Sequence, residues 1–151
     1  MEVDDLYQEV ILDHFKKPRC HGCLAGPCAG CTIYNPLCGD QIVLNLRLSD
    51  KVVSEIAFSG HGCSISQAAA SMMTDLCRGK TVEQARTLAQ QFRELMRGER
   101  KSEDSPELGD AISLEGVRNF SSRVKCATLA WEALDRCLDN AEKSEQAEVK
   151  E

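Results

Sequence analysis

Residues 41–58 constrain the fold of this chain more than any other segment. Gln41-Ile-Val-Leu-Asn-Leu-Arg-Leu48 sets Ile42, Leu44, Leu46 and Leu48 on one face of an extended strand, because successive side chains in a strand point to opposite sides. Ser49-Asp50-Lys51 supplies a turn, and residues 52–58 return as a second strand, so an antiparallel hairpin is expected. Its far end, Ser59-Gly-His-Gly-Cys63, reads as a Gly-rich loop leading into a helix.

Helical spacing surrounds the hairpin. Leu6, Tyr7, Val10, Ile11, His14 and Phe15 recur as one face of a helix over residues 4–16, which Pro18 ends. A second helix is expected from near Ser64 to about Arg78, where Gly79 stops it. Thr81-x-x-Gln84 fits a capping box for a third helix, with the stripe Val82, Ala85, Leu88, Ala89, Phe92, Leu95 and Met96. Residues 99–120 are expected to be loop with a short helix around Ser113–Val117, and the last helix to run from about Cys126 to Asn140. A short strand over 32–34 would bring the strands to about three. The expectation is an α+β fold with a small antiparallel sheet packed on several helices, one domain over residues 1–140 and a charged, disordered tail over 141–151.

At 151 residues the chain suits one domain. Its net charge of −6, with no basic stripe interleaved with aromatics, argues against a nucleic-acid partner. No apolar run is long enough for a membrane span, and the acidic Met1-Glu-Val-Asp-Asp5 lacks the features of a signal peptide. A cytoplasmic protein is expected. Nine cysteines in such a compartment point to metal or sulfur chemistry rather than a disulfide framework.

Four of them, Cys20, Cys23, Cys28 and Cys31, form two CxxC pairs within twelve residues. Paired zinc-binding knuckles are normally separated by a dozen or more residues, and here only Leu24–Pro27 intervene. A second metal site and an idle, oxidation-prone thiol loop are equally open readings, with sulfur storage a third. Cys77 and Cys137 fall on apolar helix faces and read as core. His61 reads as a solvated loop residue and His14 as packed on its helix.

A less conspicuous set is more informative. Cys38-Gly-Asp40 precedes the first hairpin strand, Cys63 follows the second, and Cys126 opens the last helix after Arg123-Val-Lys125. The hairpin returns its end near its beginning, so these groups can meet as three thiols and a carboxylate, a tetrahedral set for zinc or an iron–sulfur cluster. One hard carboxylate among soft thiolates favours an exchanging site over a structural one. Helix starts and neighbouring cations lower thiol pKa values, so Cys63 and Cys126 are expected to carry extra thiolate.

Asn35-Pro-Leu-Cys-Gly-Asp40, Gly60-His-Gly-Cys-Ser-Ile-Ser66 and Val124-Lys-Cys-Ala-Thr-Leu-Ala-Trp131 resemble, in order, the three cysteine motifs of the NifU N-terminal domain/IscU/SufU family of iron–sulfur cluster assembly scaffold proteins. Leu6-Tyr-x-Glu-Val-Ile-Leu-Asp-His14 and Pro18-Arg19 resemble the family's opening helix. Phe120-Ser-Ser-Arg-Val-Lys125 lacks the prolines of the IscU chaperone signal and the His that precedes the third cysteine in IscU, and the segment from about Gly98 through Val117 resembles an insertion of the SufU type. Both departures place the resemblance with SufU.

The resemblance implies Cys38, Asp40, Cys63 and Cys126 as zinc ligands and a cysteine desulfurase as partner, with downstream assembly or acceptor proteins beyond it. A desulfurase histidine would take a zinc position and free Cys38, which attacks the enzyme's persulfide and so acts as sulfur acceptor. Arg123 matches a family arginine near the site. The IscU alternative is a scaffold on which a [2Fe–2S] cluster is built and passed on. An alternative of another class is a metal-stabilised interaction or redox-sensing protein. A stand-alone zinc hydrolase fits worst, since four protein ligands leave no position for water and no general base stands beside a ligand.

Overall fold

The computed structural model describes residues 3–149, with the side chains of 7–144. In chain order, α1 spans Val3–Lys16, β1 Ala29–Asn35, β2 Asp40–Ser49, β3 Val52–His61, α2 Ser64–Cys77 and α3 Val82–Met96. Two 3-10 segments, Ser102–Asp104 and Pro106–Asn119, precede α4, Ser121–Val149. The strands form one antiparallel sheet in the order β1-β2-β3. This is the expected α+β architecture, and no helix among the described residues is long and apolar enough to cross a membrane.

The alternation in β2 becomes a buried face. Ile42, Leu44 and Leu46 are fully enclosed, while Val43, Asn45 and Arg47 are half-exposed on the other side. Against that buried face pack α4 and α2, which contribute Trp131, Leu134, Met72 and Met73. Trp131 stacks on Phe92 of α3 with ring centroids 5.4 Å apart and planes at 21°.

His14 is buried and ties three elements together. Its Nδ1 lies 2.7 Å from Ser71 Oγ of α2, and its Nε2 lies 2.8 Å from Asp110 of the second 3-10 segment.

The capping box is present in full. Gln84 N–H donates to Thr81 Oγ1 at 3.0 Å and Thr81 N–H donates to Gln84 Oε1 at 3.0 Å. Removing the Thr81 hydroxyl strands a helix-end donor, so Thr81→Ala is expected to cost about 1 kcal/mol and lower the melting temperature by about 2–4 °C. A thermal melt checks it, and an unchanged midpoint would show the cap to be idle.

Four boundaries differ from expectation. β1 begins at Ala29 rather than residue 32, which makes Cys31 a strand residue instead of part of a loop. The helix expected around Ser113–Val117 is part of a longer 3-10 run over 106–119, kinked at Gly109 (φ +51°). α4 begins at Ser121, five residues before Cys126, and continues to Val149 rather than ending near Asn140. Ser121, Ser122 and Arg123 face solvent, and charge dominates 142–149, so neither end carries an apolar stripe to read. Ala141, assigned by expectation to the tail, is buried in the core, and the backbone of 142–149 is helical.

Candidate metal centre

The site is the polar end of the hydrophobic core. The face that carries Leu44 and Ile42 continues two residues further to Asp40, which is 1% exposed. On β1 the same face runs Cys31, Ile33, Asn35, and the register pairs Asn35 with Asp40 across the turn Pro36–Gly39. Cys38 lies in that turn, half-buried, its N–H bonded to Asn35 O at 3.3 Å. β3 pairs His61 with Gln41, so the chain beyond it passes Asp40. Cys63 N–H accordingly donates to Asp40 Oδ1 at 2.9 Å. From the second turn of α4, Cys126 closes the site from the helix layer at 0% exposure.

One ligand atom each from Cys38, Asp40 and Cys126 lie within 4.8 Å of one another, the one such cluster of metal-ligating groups among the described residues. Cys126 Sγ is 3.2 Å from Cys38 Sγ. A tetrahedral zinc with bonds of about 2.1–2.3 Å holds its ligand atoms about 3.6–3.8 Å apart, so the three donors are close enough to share one ion once the two sulfurs, now at 3.2 Å, part by about half an ångström. Cys63, the expected fourth ligand, stands beside them but outside that cluster. It is the N-cap of α2, and its Sγ accepts from Ser66 N–H at 3.4 Å.

Burial pushes the Asp40 carboxyl up, but the N–H of Cys63 and the side chains of Cys126, Ser66 and Cys63 outweigh it and hold the group below the usual range. Asp40 is therefore an anion ready to ligate. Cys126 moves the opposite way to expectation. Burial first, then Cys38, Asp40 and Cys63, push its thiol up, because it sits inside α4 rather than at a helix start and faces negative groups. A cation placed among these groups would reverse that balance.

Arg123 reaches the same place from the first turn of α4. Cys63, then Cys126 and Cys38, raise its guanidinium above the ordinary value. A fixed positive charge thus stands over the thiols.

Two residues of the site lie within the family motifs but have no role assigned by sequence alone. Asn35 Nδ2 donates to Asp40 Oδ2 at 3.3 Å and to Cys126 Sγ at 3.6 Å, fixing both. Only the β1–β2 register reveals it. Gly62 has φ +143°, and a Cβ there would stand 2.3 Å from Asp40 Oδ1; it leaves the room that the carboxylate occupies. His61 is exposed at the end of β3 and outside the cluster.

The double CxxC segment does not gather its four thiols into a metal-ligand cluster. Cys20 is held at the edge of β3, where Phe58 N–H donates to its carbonyl at 2.9 Å and Gly22 N–H donates to Phe58 O at 2.8 Å. The chain then runs to β1 on the opposite edge, held by Arg47, which donates to Pro27 O at 3.0 Å and to Ala25 O. Cys23 and Cys28 are exposed, and Cys31 turns toward α4. Cys77 and Cys137 are buried in the core as expected, and burial pushes the Cys77 thiol up to about 12.

Comparison with known proteins gives this geometry a lineage. Residues 6–142 match the NifU-like N-terminal domain. The chain belongs to that family. It is 44% identical over 134 residues to the zinc-dependent sulfurtransferase SufU of Bacillus subtilis, covering 89% of this chain and 90% of that one. It is 42% identical over 153 residues to the iron-sulfur cluster assembly scaffold protein IscU of Streptococcus pyogenes serotype M1, covering 99% and 95%. A solved structure of a candidate SUF-system scaffold from Fervidobacterium islandicum AW-1 superposes with a TM-score of 0.82 at 31% identity, covering 91% of this chain and 99% of that one.

Proposed function

We propose that the chain is an iron–sulfur cluster assembly protein of the cytoplasm that accepts persulfide sulfur on Cys38 from a cysteine desulfurase and passes it on. The observation that carries this reading is an asymmetry within the donor set. Asp40 and Cys126 are buried and held by Asn35 and Cys63, whereas Cys38 sits half-exposed in a turn. Cys63 is half-buried too, but its sulfur caps α2, so Cys38, in contact with the Cys126 sulfur, is the thiol best placed to leave.

Zinc is the metal the donor set suits, with Cys38, Asp40 and Cys126 as ligands and Cys63 as the fourth; it holds thiolates ready while adding no redox chemistry of its own. The Cys38 thiolate attacks the outer sulfur of the desulfurase persulfide. A new sulfur–sulfur bond forms on Cys38, the old one breaks, and the electron pair leaves on the desulfurase thiolate. Arg123 offsets the negative charge that the incoming persulfide adds to the thiols. Leu37, 90% exposed beside Cys38, and the exposed Phe120 near Arg123 set apolar surface around the site, which suits a protein donor better than a small substrate.

The test is an intact mass after incubation with a cysteine desulfurase and free cysteine. Wild type is expected to gain sulfur, and Cys38→Ala to lose that gain by at least about 100-fold, since thiolate exchange has no route without a thiolate. A wild type that gains none, or a variant that gains as much, overturns the reading. The likeness to the Streptococcus pyogenes scaffold over 99% of this chain favours a second reading, assembly of a [2Fe–2S] cluster on the same residues. Aerobic purification separates the two: a colourless zinc protein supports sulfur acceptance, and a brown one with cluster absorbance supports the scaffold.

A further inference from the structure

Cys31 and Cys137 stand 106 positions apart in sequence and take no part in the metal centre. The fold sets their sulfurs in one seam between β1 and α4. Cys137 Sγ lies 3.4 Å from Ala29 O and 3.6 Å from Leu44 O. Ala29 is the neighbour of Cys31 on the same face of β1, and Leu44 is the cross-strand partner of Cys31. From the other side, Cys31 Sγ lies 3.2 Å from Ala133 O, one helical turn before Cys137. Each sulfur thus rests against backbone that flanks the other cysteine.

We propose that Cys31 and Cys137 form an oxidation site, at which a peroxide converts the two thiols into a disulfide that staples β1 to α4. The two cysteines differ in access. Cys137 is enclosed by the sheet, whereas Cys31 is half-buried on the edge strand and open to a small oxidant. They also differ in charge. The Cys137 thiol holds Cys31 below the ordinary thiol range, and Cys31, with burial, pushes Cys137 up, so Cys31 is the more readily ionised of the two.

The Cys31 thiolate attacks one peroxide oxygen, the O–O bond breaks, and hydroxide leaves, giving a sulfenic acid on Cys31. The Cys137 thiol then displaces that hydroxyl as water, forming the S–S bond. Two thiols lose two electrons and one peroxide becomes two waters. The bond would pin the seam whose other end carries Asn35 and Cys126, the elements that hold the metal centre.

The experiment treats reduced full-length protein with a small excess of hydrogen peroxide, blocks remaining thiols, digests without reductant and assigns linked sites by fragmentation. A Cys31–Cys137 link that a dithiol reverses is the expected result, with a rise in melting temperature of several degrees because the bond closes a long loop. In Cys31→Ser, Cys137 is expected to stay reduced and the rise to disappear. In Cys137→Ala, a sulfenic-acid trap such as dimedone is expected to label Cys31, which it does not label in wild type. A Cys31–Cys28 link, a persistent Cys31 sulfenic acid in wild type, or a Cys137 still free after Cys31 is consumed would each overturn the proposal.

Discussion

Gly62→Ala is expected to cost the metal centre about 10–100-fold in affinity for its metal, the scale on which groups supporting a ligand act, and to destabilise the fold by about 3 kcal/mol through strain. The new methyl would stand 2.3 Å from Asp40 Oδ1 and 2.9 Å from Asp40 Cα. Rotating a side chain cannot relieve a contact with backbone, so Asp40 must move away from Cys63 N–H and from the cluster it shares with Cys38 and Cys126. Gly22→Ala is the control. Gly22 has φ +136° with nothing within 4 Å of an added Cβ, so it carries the same backbone strain without the clash. Zinc content and thermal midpoint measured on both decide the matter. Equal losses would show that strain alone, and not the room left for Asp40, accounts for Gly62.

Trp131→Ala is expected to remove about 3–5 kcal/mol of stability, as truncating a buried aromatic does. Its ring is wholly enclosed and stacked on Phe92, joining α4 to α3 behind the sheet. Against a total of about 5–15 kcal/mol for an ordinary domain, that leaves the chain close to unfolding. The melting temperature should fall by about 6–20 °C, at about 2–4 °C for each kcal/mol. Among the described residues Trp131 Nε1 has no hydrogen-bond partner, so Trp131→Phe gives up ring volume but also removes a buried, unpaired donor. Its loss should be less than half that of the alanine variant. Denaturant midpoints check the pair, and equal losses would mean that the unpartnered donor is not a burden.

The strand pair was legible because burial there is one-sided. Ile42, Leu44, Leu46 and Leu48 alternate with polar or half-exposed neighbours, and period two has a single structural meaning. The α3 helix was equally legible, since Thr81 and Gln84 are local partners three residues apart. The start of α4 was not. Its first turn faces water, so the apolar pattern begins only at Val124, and Cys126 seemed to open a helix it is buried within. Without a cation at the site, the Cys126 thiol is pushed up rather than down, first by burial and then by Cys38, Asp40 and Cys63. The negative groups packed against its sulfur are brought there only by the tertiary fold.

The sequence by itself determined which residues of this protein meet at the centre: a hairpin closes its own ends together, so Cys38 and Asp40 return to the neighbourhood of Cys63 whatever the packing. The family motifs added Cys126 and Arg123, and the structure brings both to the same place. Tertiary structure alone decided the details of the donor set. It turned the Cys63 sulfur to the first turn of α2, seated Asn35 against Asp40 and Cys126 and left Cys38 half-buried in a turn. It also dispersed Cys20, Cys23, Cys28 and Cys31, four thiols that looked like one site because they are close in sequence. Hydrogen bonds from Phe58 and Arg47 hold that segment along the sheet, and strand geometry points Cys31 away from its neighbours toward Cys137. Proximity in sequence sets only how far apart two sulfurs can be; which of them touch is set by backbone pairing and by the face each strand turns to its helix.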